Sequence, residues 1–197
     1  MAEHISTEKL LADAKAEYDK LQEKLKAGPL TPKDRMAIPQ QQMPAQEPKT
    51  RARLMTEVCT GYSKEMAVVE ANRCLQCKNM PCVSGCPVNV QIPQFIEQIA
   101  KGEFKKAVDI IKETSLLPAI CGRVCPQEKQ CQGQCTVGKT YKSAEKAVSI
   151  GRLERFVADW ERENNQVTMP VIASKSGKKV AVIGSGPAGL TVAADCA

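Results

Sequence analysis

The sequence predicts a mainly α-helical protein whose final segment changes into a single strand–turn–helix unit. Three observations carry that expectation. Apolar residues recur at helical spacing in short segments between about Thr56 and Asn165. Two dense cysteine loops interrupt those segments. An apolar run of strand type, Val180-Ala181-Val182-Ile183, then leads straight into a glycine-rich turn.

With 197 residues the chain can bury a sizeable core. Hydrophobic residues make up 43% and charged ones 25%, which excludes a disordered tail and a membrane protein. No apolar stretch is long enough to span a bilayer, and Met1-Ala-Glu-His does not open a secretory signal, so a cytoplasmic location is expected. The single histidine, His4, argues against His-dependent hydrolase sites, imidazole zinc sites and haem attachment. The formal charge is +6, but the few aromatic residues are scattered, so no base-stacking platform and no nucleic-acid partner is expected.

The elements follow in order. Residues 6–27 read as one helix, capped by Ser6 and stopped by Gly28-Pro29. Leu11, Ala14, Tyr18, Leu21 and Leu25 form a narrow apolar seam along it. That seam either lies on its own domain or makes a homo-oligomer contact. Residues 1–28 therefore form an N-terminal helical segment. Residues 29–50 hold Pro29, Pro32, Pro39, Pro44 and Pro48, a density that predicts an extended connector without helix or sheet.

Residues 51–166 read as a domain of short amphipathic helices. Ser63 caps a helix running to Cys74. Ile92, Phe95, Ile96 and Ile99 share one helical face, with Pro93 in the first turn and Gly102 after the last. Phe104, Ala107, Val108 and Ile111 repeat that template, and a longer helix near 147–162 aligns Leu153, Phe156, Val157 and Trp160. Such helices are too short to stand alone and must wrap around something.

Eight of the 10 cysteines form two groups. The first is Cys74-x2-Cys77-x4-Cys82-x3-Cys86-Pro87, and the second is Cys121-x3-Cys125-Pro126-x4-Cys131-x3-Cys135. Closely spaced cysteines followed by one before a proline match the ligand logic of two-cluster iron–sulfur proteins, in which that last cysteine serves the other cluster. Gly85, Gly122 and Gly133 are expected to let the backbone approach the inorganic core. Soft thiolates without imidazole favour iron–sulfur over hard cations. A zinc-stabilised binding module and disulfides are the competing readings, although only Cys74 and Cys77 have knuckle spacing and reducing compartments disfavour disulfides.

Glu154 stands on or beside the apolar face of the last long helix, where a carboxylate must be paired or metal-bound; an ion pair with a neighbouring arginine is the alternative. Two bound clusters, one using Glu154, would lower the formal +6 to about +3, so the basic residues need no nucleic acid to justify them.

Gly184-x-Gly186-x-x-Gly189, directly after a strand and opening a helix, is the dinucleotide fingerprint of a Rossmann-type βα unit. Residues 167–197 are accordingly expected to be the truncated start of an FAD-binding domain. The ribose-binding acid would lie past Ala197.

Arg73-Cys74-Leu75-Gln76-Cys77, Cys86-Pro87-Val88, Leu117-Pro118-Ala119-Ile120-Cys121-Gly122-Arg123-Val124-Cys125-Pro126, Ile150-Gly151-Arg152-Leu153-Glu154-Arg155-Phe156 and the glycine turn together resemble the small (beta) subunit family of NADPH-dependent glutamate synthase. The likeness covers about residues 50–197. It implies an α-helical ferredoxin-like domain holding two [4Fe-4S] clusters. One set would be Cys74, Cys77, Cys82 and Cys135, and the other Cys86, Cys125, Cys131 and Glu154, leaving Cys121, Cys59 and Cys196 outside both. The dihydropyrimidine dehydrogenase branch has glutamine at the place of Glu154, so the likeness is nearer to the glutamate synthase branch.

The resemblance further implies that hydride from NADPH reaches FAD, held by Gly184, Gly186 and Gly189 among others. Electrons then leave through the clusters to a large (alpha) subunit or another redox partner, for glutamate synthesis from glutamine and 2-oxoglutarate. A ferredoxin-linked NADPH transhydrogenase or a dihydropyrimidine dehydrogenase-like enzyme is the alternative. No catalytic residue is expected in this chain, which by itself is expected to be inactive.

Overall fold

Ser6 begins the first helix because its hydroxyl accepts the backbone N–H of Lys9, one of the donors a helix start leaves without a partner. That helix, α1 (Thr7–Ala27), ends where Gly28 takes φ 146°. The computed structural model describes residues 5–169, 171–172 and 174–197, and His4 lies outside the described residues. The seam of α1 packs against α4 (Lys64–Ala71), with Ala14 and Leu21 buried and Tyr18 and Leu25 half-buried. Leu11 stands at the exposed edge. The apolar stripe is thus covered by the same chain, not held open for a second copy.

The proline-rich stretch departs from the expected extended connector. It contains α2 (Pro32–Ala37) and α3 (Pro48–Arg51), each opening on proline. In the first helical turn a missing N–H costs nothing and the fixed φ is already helical. A capping box adds to α2, since Thr31 and Asp34 satisfy each other's backbone N–H groups. Between these helices the chain is extended, and Gln46 and Thr60 donate backbone bonds to Val58 and Pro44 around an antiparallel bridge between Ala45 and Cys59.

The cysteine-bearing part is built from α5 (Pro81–Ser84), α6 (Ile92–Ala100), α7 (Phe104–Lys112), α8 (Pro118–Val124), α9 (Thr136–Thr140) and α10 (Ile150–Glu163), with short 3-10 turns at Gln127–Lys129, Gln132–Gln134 and Ala144–Lys146. The helix from Ser63 stops at Ala71, before Cys74, so that the first cysteine sits on a loop. The expected apolar faces of α6 and α7 are buried in full. α10 lies across α6, α7 and α8, and Leu153 and Val157 close the core beneath it. Phe104 meets Phe156 and Trp160 edge-on.

The final segment differs from expectation. Helix α11 (Pro187–Cys196) forms after the glycine turn, but residues 180–183 make no strand, and no strand ladder occurs among the described residues. A single strand without a neighbour leaves its backbone groups to water. Val180 and Ile183 are exposed, Ile183 almost completely. The Rossmann-type βα unit is therefore not present; only its turn and helix are. Within that turn Gly184 has φ 105°, and a Cβ at Gly189 would lie 2.2 Å from the Gly184 carbonyl oxygen, so both positions require glycine. Pro170 and Ala173, which belong to the segment assigned to the flavin domain, lie outside the described residues.

Candidate metal centre

Loops and the short helices α5 and α8 carry the eight clustered cysteines inward. Between Cys74 and Cys82 the chain turns tightly, with Gln76 at φ 51° and Met80 at φ 40°, a left-handed region that costs a non-glycine residue about 1 kcal/mol or more. Gln76 is held there because its side-chain amide donates to the Pro93 carbonyl, 3.0 Å away. Pro81 then opens α5, which carries Cys82, and Cys86 closes the following turn by donating its N–H to Val83. On the other side Cys121 lies on α8, Cys125 ends that helix, and the 3-10 turn at Gln132–Gln134 separates Cys131 from Cys135.

The side chains collect around two separate cavities. Cys74, Cys77, Cys82 and Cys135 line the first, walled by apolar residues that include Leu75, Ile96, Val137 and Val148. Cys86, Cys121, Cys125, Cys131 and Glu154 line the second, with Val88, Val90 and Phe95. Ile92 and Ile150 line both and form the partition between them. Each cysteine group is thus divided: Cys135 of the second group joins the first cavity, and Cys86 of the first group joins the second.

The electrostatics are those of thiols kept from water. Burial pushes Cys74 up to about 12 and Cys82 up to about 11, with neighbouring thiols adding to both shifts. In the second cavity burial takes Cys131 to about 12 and Cys125 to about 11, with Cys86 and Cys121 respectively the next largest influence. Backbone N–H groups counter this, as those of Gln76 at Cys74 and Gln132 at Cys131 donate to sulfur. Such donors favour thiolate once a positive centre is present and tune the potential of bound iron–sulfur clusters.

Burial alone pushes Glu154 up to about 7. The arginine pairing that competed for it does not occur. Arg152 donates to the Gln41 carbonyl and contacts the Tyr62 hydroxyl, while Arg155 reaches Glu57, Asp159 and the Cys59 carbonyl.

The donor sets fit iron–sulfur clusters. Each cavity offers soft sulfur in an apolar wall with backbone donors beside it, and the donors are distributed around a space instead of being gathered at a point. Among the described residues no three His, Cys, Asp or Glu side chains stand at single-ion spacing. A cubane anchors each ligand to a different iron. Cys59 and Cys196 are exposed and line neither cavity.

The three glycines have a different task from the one expected. A Cβ on Gly122 would lie 2.6 Å from the Arg155 backbone nitrogen, so this glycine lets α8 press flat on α10. Gly85 and Gly133 likewise face the Gln130 and Glu128 carbonyls. The close approach they permit is of chain to chain.

Two polar assemblies escaped sequence reasoning. Glu70, fully buried, pairs with Arg73 at 2.6 Å and accepts the backbone N–H groups of Gln41 and Ser149. Arg73 also donates to the Lys146 and Ala147 carbonyls. Glu57 and Asp159 bridge Arg123 and Arg155, tying the 52–60 loop to α8 and α10. The i, i+3 spacing of Glu70 and Arg73 inside an apolar stretch was the one available signal for the first.

Residues 51–166 match the family model for dihydropyrimidine dehydrogenase domain II, 4Fe-4S cluster. The chain belongs to this [4Fe-4S] family. The glutamate synthase [NADPH] small chain of Halomonas elongata is 36% identical over 156 residues, 76% of this chain and 31% of that one. The NAD-dependent dihydropyrimidine dehydrogenase subunit PreT of Salmonella typhimurium is 41% identical over 137 residues, 69% of this chain and 32% of its own. The putative oxidoreductase AegA of Escherichia coli is 38% identical over 144 residues, 70% of this chain and 20% of its own. The resemblance to glutamate synthase small chains therefore holds across most of the chain. The chain spans under a third of the length of these curated relatives. No helix among the described residues is long and apolar enough to cross a membrane.

Proposed function

We propose that this [4Fe-4S] family member is the electron-transfer module of an NADPH-dependent flavin and iron–sulfur oxidoreductase of the glutamate synthase type. The observation that carries the reading is the sorting of the cysteines: two sequence groups exchange one member each across a shared apolar wall. Cys74, Cys77, Cys82 and Cys135 would hold one cluster, and Cys86, Cys125, Cys131 and Glu154 the other. Bound clusters supply one-electron carriers at two adjacent points.

The protein's own residues do the rest. Ile92 and Ile150 keep the space between the carriers dry, and the backbone N–H groups of Gln76 and Gln132 stabilise negative sulfur. The left-handed turns at Gln76 and Met80 shape the first loop. FAD, NADPH and a large redox-partner subunit belong to the whole enzyme in this reading, with Gly184, Gly186 and Gly189 at the edge of the flavin site. The likeness to PreT favours, as a second reading, a dihydropyrimidine dehydrogenase-type partner.

Anaerobic reconstitution with ferrous iron and sulfide, followed by iron, sulfide and zinc analysis, tests the proposal. About eight iron and eight sulfide per chain are expected, with no NADPH oxidation by this chain alone. Stoichiometric zinc without sulfide would overturn it.

A further inference from the structure

We propose that Cys121 is an alternative fourth ligand of the second cluster, able to occupy the iron position that Glu154 serves; this rests on the two-cluster reading above. The second cavity has one donor more than a cubane can use. Cys86, Cys121, Cys125, Cys131 and Glu154 all line it, whereas a cubane takes one ligand at each of its four irons. The first cavity offers four thiols and no carboxylate. The surplus is confined to one centre.

The packing of two helices brings the competing donors together. α8 and α10 press together where Gly122 faces the Arg155 backbone. Cys121 precedes Gly122 and Glu154 precedes Arg155, so the two donors flank the same contact and both reach the cavity. Cys121 shares this cavity lining with Cys125, a ligand of this cluster in the proposed set. The Cys121 thiol also makes a long hydrogen bond with the Ser115 hydroxyl, 3.9 Å away, and this weak contact is what binding to iron would replace.

Glu154 is equally free to give way. Neither adjacent arginine engages it, so its withdrawal breaks no ion pair. A thiolate is the softer donor and suits iron–sulfur chemistry better than a carboxylate. In the exchange an Fe–O bond to Glu154 breaks and an Fe–S bond to Cys121 forms. The thiol proton passes to the displaced carboxylate, and no electron changes hands.

The test reconstitutes the chain anaerobically with ferrous iron and sulfide in four forms: wild type, Cys121→Ser, Glu154→Ala and the double variant. Iron content and low-temperature electron paramagnetic resonance are read, with circular dichroism to check folding. Wild type and both single variants should keep about eight irons, and Glu154→Ala should change the spectrum of one cluster only. The double variant should lose at least one iron and give a three-iron signal on oxidation.

Two results would overturn the proposal: Glu154→Ala losing as much iron as the double variant, or the double variant keeping a full complement. If Glu154→Ala does not fold, the similar-sized Glu154→Leu replaces it in the same comparison. Failure of the two-cluster reading looks different, because the unsubstituted chain would then take up no iron and sulfide.

Discussion

Gly122 shows how much one missing methyl group can decide. Its position on α8 is set against the backbone of Arg155, where an added Cβ would fall 2.6 Å from nitrogen and 2.9 Å from Cα. Backbone cannot rotate out of the way as a side chain can, so α8 would have to lift from α10. We expect Gly122→Ala to cost about 1–3 kcal/mol, seen as a lower thermal midpoint. Because Cys121, Cys125 and Glu154 sit along that seam, iron bound in the second cavity should be lost to a chelator faster, with iron in the first unaffected. Equal release from both cavities would contradict this local account. The sequence showed a glycine beside cysteines and suggested approach to a cofactor. The neighbour it accommodates is 33 residues away along the chain, and spacing alone carries no such information.

Among the elements, α4 joins the N-terminal helix to the cysteine-bearing part, packing on α1, α6 and α10. It covers the seam of α1 on one side, and at its end Glu70 and Arg73 fasten two remote segments, the stretch around Gln41 and residues 146–149. Glu70 receives the N–H of Gln41 from the proline-rich stretch and that of Ser149 from the start of α10. Tyr62 adds a bond to the Gln41 carbonyl at 2.7 Å, and burial pushes its hydroxyl up to about 12. A buried charge left alone is far costlier than a paired one.

Glu70→Gln should therefore destabilise the chain by about 3–5 kcal/mol, measured as a shift in the urea midpoint, and should loosen both metal loops. Glu70→Gln/Arg73→Met, which removes both charges, should recover part of the loss; no recovery would mean that the ion pair is not the reason for it. The helices themselves were readable because apolar periodicity and caps such as Ser6 and Ser63 are local. The helices α2 and α3 were not, because a count of prolines does not say which of them fall in a first turn.

At the scale of the whole molecule the two cavities share a wall made of Ile92 at the start of α6 and Ile150 at the start of α10. Ile92 is buried, at 3% exposure, so trimming it leaves a void that both cavities border. Ile92→Ala should cost about 2–5 kcal/mol and should speed chelator release of iron from both centres together. Loss from one centre only would show that the partition is not shared. In this respect the variant is the opposite of Gly122→Ala, and the pair of them separates a wall between the centres from a clamp beside one.

The cysteine spacing by itself determined the metal class, since thiols in excess without imidazole leave few other chemistries, and apolar periodicity determined that short helices would enclose them. Partner choice was decided in space. Which thiols share a cavity, whether Glu154 meets an arginine or a metal pocket, and whether 180–183 becomes a strand all depend on groups distant in sequence. The chain records its local preferences residue by residue, while burial and ladder bonds exist only once remote segments have come together.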